Sequence, residues 1–127
     1  MLFNSSQTLL TLCRQQIGDG MSWSTRQTEN KLIGLPIGRV DEKSWESLLG
    51  NLTQAIAAAA AAKVDFVLDL SGVDYMSSRG LRVLTLARRE AETHQIKFTL
   101  ALPNERMREI LAISRYDKIF KIEDSLD

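Results

Sequence analysis

The sequence has one cysteine, one histidine and two prolines in 127 residues, and only 6% of it is aromatic. Cys13, being alone, forms neither an intramolecular disulfide nor a cysteine-rich metal site, which suits a reducing compartment such as the cytoplasm. His94 stands alone as well, and H-E-x-x-H, C-x-x-C and a glycine-rich phosphate loop are all missing, so no metal or cofactor is expected. Neither sign of charge is in excess: Lys+Arg 16 balance Asp+Glu 16, so no global basic field draws the chain to nucleic acid or to anionic lipid. No continuous apolar span approaches the ~20 residues of a membrane helix. What is present is ordinary for one soluble globular domain with a sizeable core, 44% hydrophobic and 25% charged.

Residues 1–20 differ from the rest. Leu9-Leu10 and Leu12 make a small apolar cluster with no basic residue before it, which argues against a secretory signal. Leu10-Thr11-Leu12-Cys13 invites a lipoprotein reading, but Leu12 is too large for the position before the cysteine. Gly18-Asp19-Gly20 reads as a hinge, so 1–20 is expected to be an appended extension, flexible or the product of an upstream start, that the fold does not need. A short amphipathic helix docked on the domain or on a second copy is the alternative. The domain itself is expected to span 21–127.

From there the chain alternates strands and helices. Ser22–Thr28 is a candidate edge strand, Glu29-Asn30 a turn, and Lys31–Gly38 a second strand in which Pro36 asks for an edge position or a bulge. Asp41 is a helix-entry residue, with Ser44 a competing cap. Trp45, Leu48, Leu49, Leu52, Ile56 and Ala59 keep helical spacing over about 44–62 and predict a face packed on a sheet. Beyond the central stretch, 96–101 alternates as a half-buried strand, Asn104 caps a helix over Glu105–Arg115, and Ile119–Ile122 forms a last short strand before an acidic, frayed tail.

The centre is Val64–Leu86. Val64, Phe66, Val67, Leu68 and Leu70 form a short apolar run that fits a strand buried on both faces. Ser71-Gly72 breaks it, Val73–Met76 continues in extended or loop form, and Ser77-Ser78 precedes a helix over Arg79–Thr93 with Val83, Leu84, Ala87 and Ala91 on one face. Either serine can cap that helix. A hydroxyl at a helix N-terminus can also be offered to a phosphoryl donor, because free N–H groups there accommodate the phosphate. A serine nucleophile needs a base, and His94 lies at the far end of the same helix, about 24 Å away at 1.5 Å per residue. A phosphate acceptor therefore fits better than a catalytic serine. Arg82, Arg88 and Arg89, offset by Glu90 and Glu92, read as a mixed-charge helix surface or as a docking face for an acidic partner.

The run Val67-Leu68-Asp69-Leu70-Ser71-Gly72-Val73-Asp74-Tyr75-Met76-Ser77-Ser78-Arg79-Gly80-Leu81 resembles the signature segment of the STAS domain, the fold of bacterial anti-sigma factor antagonists. Gly38-Arg39-Val40-Asp41 and Pro103-Asn104 are similar to other parts of that family. The resemblance implies a single α/β domain, with a mixed β-sheet of four to five strands and helices mainly on one face. It places the phosphorylated serine at Ser78, with Ser77 the less favoured site at a position often held by aspartate. Arg79 departs from the usual Ser, Thr or Ala.

The implied function is that of a cytoplasmic regulator and not an enzyme. Unphosphorylated, it binds an anti-sigma factor with serine kinase activity, and phosphorylation at Ser78 releases it. Asp41, Tyr75, Met76, Ser77, Arg79, Leu81 and Arg82 are the expected partner surface; nucleic-acid binding and membrane insertion are not expected, and a homodimer is left open. The alternative is a STAS scaffolding or regulatory module, in a stress-sensing assembly or beside a lipid-transport ATPase, without a phosphorylation switch.

Overall fold

A computed structural model describes residues 21–126; the expectations for 1–20, Cys13 among them, lie outside the described residues. The strands are β1 (Met21–Gln27), β2 (Lys31–Val40), β3 (Asp65–Asp69), β4 (Val73–Met76), β5 (Phe98–Ala101) and β6 (Ile122–Glu123). The helices are α1 (Trp45–Ala62), α2 (Ser78–Thr93) and α3 (Glu105–Ile113), with a 3₁₀ turn at Tyr116–Lys118. The sheet has six strands in the order β1-β2-β3-β5-β6, with β4 beside β2. β1 runs antiparallel to β2, and every other pairing is parallel.

The strand count exceeds the expected four to five because Val73–Met76 is a strand in its own right. β2 is long enough to serve two parallel partners in succession. Its first half, Lys31–Gly34, pairs with β3, and its second, Gly38–Val40, pairs with β4. Between them the chain breaks at Ser71-Gly72, and Gly38 N–H donates to the Gly72 carbonyl at 2.9 Å. The register shifts between Gly38 and Arg39, and Gly38 has φ 117°, a backbone shape that side chains rarely allow. Pro36 is neither at the sheet edge nor in that irregularity. It pairs with Trp23 of β1 and falls where β3 has ended and β4 has not begun, so a residue without an N–H is tolerated.

The helices share one face of the sheet. Leu48, Leu52, Ile56 and Ala59 of α1, Val83, Leu84 and Ala87 of α2, and Met107 and Leu111 of α3 join Phe66, Leu68 and Leu100 in one core. Alternation along the strands sends Ile33, Val67 and Ala101 to the opposite face, where they form a second, smaller cluster with Leu35, Leu102 and Leu126. The tail was expected to fray. Instead, Leu126 packs on this cluster and its carbonyl accepts from Lys31 Nζ at 2.5 Å, because Ile33 and Val67 need cover on a face without helices. Asn104 caps α3 by accepting from Met107 N–H at 2.9 Å, and its amide donates to the Val73 carbonyl at 2.8 Å, tying α3 to β4.

One contact fixes where α2 begins. A Cβ on Gly80 would lie 2.5 Å from Met76 Cγ and 2.7 Å from Val40 Cγ1, so only glycine lets the first turn of α2 rest on the ends of β2 and β4. Gly80→Ala is expected to cost about 1–3 kcal/mol through overpacking, against the usual gain from alanine in a helix. Thermal unfolding of the two proteins checks it; an unchanged midpoint would show that the junction yields freely.

Candidate functional site

The serines divide their roles. Ser77 is the N-cap of α2, in extended conformation, and its hydroxyl accepts from Gly80 N–H at 3.3 Å. Its own N–H donates to the Val40 carbonyl at 2.8 Å, which pins the junction to the end of β2. Ser78 is the first helical residue, exposed, and its hydroxyl makes no hydrogen bond to a described residue. It opens onto a depression of about 450 Å³ with Arg79, Arg82, Arg89 and Tyr116 on its walls. The Tyr116 hydroxyl accepts from Thr85 Oγ1 at 3.0 Å.

The loop from β2 to α1 lies beside this junction. Asp41 Oδ1 accepts from Lys43 N–H at 3.0 Å, and the Asp41 carbonyl accepts from Ser44 and Trp45 N–H. Ser44 occupies the N-cap position of α1 without bonding the helix through its side chain. Its buried hydroxyl instead donates to the Arg39 carbonyl at 2.6 Å and accepts from Asp41 N–H at 3.0 Å. Both candidate helix-entry residues are thus used, Asp41 to close the turn and Ser44 to hold the loop to β2. The Lys43 N–H bond, helped by the Ser44 hydroxyl and by Arg39, holds the Asp41 carboxyl below the ordinary aspartate range, against partial desolvation.

Arg79 connects the two loops. A cation in the first turn of a helix opposes the dipole. Here Arg79 Nε sits 3.1 Å from Glu42 Oε2, and its guanidinium lies 5.4 Å from the centre of the Trp45 ring. Arg39 does the same one strand over, 4.8 Å above the Tyr75 ring and 3.7 Å from Asp41.

Of the expected partner surface, the structure brings Asp41, Tyr75, Ser77, Arg79 and Arg82 around Ser78, with Arg79 and Arg82 exposed and Asp41, Tyr75 and Ser77 partly buried. Met76 is a correction. Only 2% exposed, it packs beneath Gly80 and offers a partner nothing to touch, because the register shift at Gly38/Arg39 leaves Asp74 as an extra residue and returns Met76 to the buried face of Val73. Leu81 is half-buried against the core. Glu42, Arg39, Trp45 and Tyr116 belong to the site and went unnamed as site residues; Glu42 and Arg39 flank Asp41, which was the available signal. His94, at the far end of α2, is exposed and lies 3.2 Å from Glu90. Among the described residues no cluster could hold a metal, and no helix is long and apolar enough to cross a membrane.

The family model of the STAS domain matches residues 22–127. The chain belongs to the STAS family. BtrV of Bordetella bronchiseptica, named as an anti-sigma factor antagonist, is 35% identical over 77 residues, covering 57% of this chain and 66% of that protein, just under two thirds of its length. The crystal structure of an anti-sigma factor antagonist from Thermotoga maritima superposes with a TM-score of 0.72 at 19% identity, covering 82% of this chain and 87% of that one. The Bacillus cell fate determinant SpoIIAA in its phosphorylated form superposes with a TM-score of 0.60 at 17% identity, covering 82% and 92%. At such identities the likeness is one of fold, the single α/β STAS domain with a mixed sheet. The STAS antagonists are regulators and not enzymes.

Two outcomes check the division of labour at this site. Ser77→Ala is expected to cost about 1 kcal/mol of stability, the usual loss of a cap, while Ser78→Ala is close to neutral; chemical denaturation of both variants measures it, and equal losses would remove Ser77 as the cap. The Asp41 carboxyl, followed by carbon-detected NMR, is expected to titrate below ordinary aspartate. A group with a depressed folded pKa adds stability at pH above its unfolded value and loses it as pH falls through the folded one. The loop is thus held through neutral pH and loosens only in stronger acid. A midpoint at the ordinary value would show that the Lys43 N–H bond is not kept in solution.

Proposed function

We propose that this STAS domain is an anti-sigma factor antagonist that binds an anti-sigma factor with serine kinase activity while Ser78 is unmodified, and lets go when Ser78 is phosphorylated. The observation that carries this reading is the exposed, unengaged Ser78 hydroxyl in the first turn of α2, beside a Ser77 hydroxyl already committed to the cap. A phosphate on Ser78 meets free N–H groups at the helix start and the guanidinium groups of Arg79 and Arg82 on the same depression, so modification need not unfold α2. It adds a charge of about −1.5 to −2 to the contact surface. A partner shaped around a neutral hydroxyl then has to desolvate or oppose that charge, and the complex loosens. The names of the relatives support the same reading, BtrV as an antagonist and SpoIIAA as a protein that has a phosphorylated form. No group of the domain itself has to act as a catalyst, because the kinase supplies the chemistry.

The test is incubation with the partner kinase and ATP, followed by mapping of phosphate by mass spectrometry and measurement of affinity. Ser78→Ala is expected to bind and to take up no phosphate, and Ser78→Asp to keep its fold and bind at least about tenfold more weakly. Phosphate on Ser77 in the native chain, or undiminished uptake in Ser78→Ala, overturns the assignment. Partner binding with no phosphate on any serine would favour a STAS scaffold without a switch.

A further inference from the structure

The outer surface of α2 carries more order than a phosphorylation site requires. Arg79, Arg82, Leu86 and Arg89 follow one another at spacings of three, four and three, which lines them up as one seam along the helix, about 15 Å long at 1.5 Å per residue. A groove runs along one side of this seam, between α2 and α1. Trp45 and Leu49 of α1 and Val83 and Leu86 of α2 line it, with Arg79 and Arg82 at the rim, and it encloses about 560 Å³. Trp45, Leu49 and Leu86 are only partly buried although they adjoin the core. On the other side lies the depression that holds Ser78.

The charges along the seam are uncompensated where it matters. Arg79 is held by Glu42, and Arg88, off the seam, sits 3.8 Å from Glu92. Arg82 and Arg89, both exposed, form no ion pair with a described residue. The first turn of α2 has no acidic residue, so the positive end of the helix dipole adds to the arginines. An apolar floor with cations along its rim matches a helix that carries apolar residues at every third or fourth position and carboxylates beside them.

We propose that the α1–α2 groove is the docking site for an acidic amphipathic helix of the partner protein, lying along the Arg79–Arg89 seam. The proposal deepens the preceding section and rests on it for there being a partner at all. Two other occupants match the charges poorly. Residues 1–20 carry Leu9, Leu10 and Leu12, but only one acid, Asp19, and a base, Arg14. The exposed apolar residue of α3 in a second copy, Ile113, is 83% exposed but stands in mixed charge, with Glu109 one turn before it, Arg106 and Arg115 nearby in sequence, and Arg108 already paired with Asp124. One exposed apolar residue in mixed charge supplies neither the apolar stripe nor the run of carboxylates that the groove matches.

The test uses the full chain, isotope-labelled and unphosphorylated, titrated by NMR with a synthetic helical peptide of about five turns. The peptide carries leucine along one stripe and glutamate flanking it; a twin replaces each glutamate with lysine. The acidic peptide is expected to shift the signals of Trp45, Leu49, Val83 and Leu86, and the lysine twin to bind at least about tenfold more weakly. Arg82→Glu combined with Arg89→Glu, two exposed positions outside the core, is expected to reverse that preference.

No shift at these residues with about 1 mM acidic peptide, equal binding of the twins, or shifts centred elsewhere overturns the proposal. So does a concentration dependence of the same signals without peptide, which assigns the groove to a second copy. Peptide binding that strengthens about tenfold when residues 2–20 are removed assigns the groove to that segment instead. No kinase or phosphate enters the titration, so its failure leaves the role of Ser78 standing. A failure to phosphorylate Ser78 equally leaves the groove result intact.

Discussion

Everything at the functional end of this domain depends on how closely α2 approaches the ends of two strands. Val40 closes β2 and Met76 closes β4, and the two residues are register partners. Gly80 rests on both side chains with no room for a methyl group, and the Ser77 N–H is bonded to the Val40 carbonyl. The helix start can neither rise nor slide without breaking a hydrogen bond or opening a void in a close-packed core. Ser78 is therefore held out at a fixed height by contacts that are themselves buried. The cap bond between Ser77 and Gly80 spans Ser78 and leaves its exposed hydroxyl unengaged.

A second constraint works through charge. Arg79 stands where a cation is locally unfavourable, and the Glu42 carboxylate and Trp45 ring answer it from the neighbouring loop. Exposed ion pairs contribute little to stability, about 0–1 kcal/mol. What this one does is join the β2–α1 loop to the first turn of α2. Asp41 and Ser44 fix the β2–α1 loop from within, and Arg79 fixes it to α2 from without. The site is thus one surface made of two loops that are far apart in sequence.

Much of the architecture was legible because it rests on local periodicity. The spacing of Trp45, Leu48, Leu52 and Ile56 specifies α1, and that of Val83, Leu84, Ala87 and Ala91 specifies α2, within a residue at each start. Asn104 before Glu105 is a cap in the sequence and in the fold. The strand β4 was less visible: it has four residues, Asp74 interrupts its pattern, and its identity comes from pairing with a partner more than thirty residues earlier. The misplacement of Met76 follows from that, since the irregular pairing with β2, which skips Asp74, is what turns it inward. The Arg79–Glu42 contact and the cover that Leu126 gives Ile33 are long-range in the same sense, and no local pattern announces either. Motif resemblance supplied Ser78; the geometry supplied the reason that it, and not Ser77, has a spare hydroxyl.

The division of β2 between two parallel partners bears on how the domain assembles. Only the β1–β2 hairpin closes through a short loop; each parallel pairing must wait for an intervening helix to bring distant segments together. Lys31–Gly34 takes β3 once α1 has crossed over, and Gly38–Val40 stays unpaired on that side until the chain turns at Ser71-Gly72 and delivers β4. Contacts of such long sequence separation make folding slow relative to a helical bundle of the same size. The surface around Ser78 is assembled from the later of these events, so a nascent or partly folded chain does not present it in finished form. Any partner that reads the surface around Ser78 would therefore meet it only on molecules that have completed their central sheet.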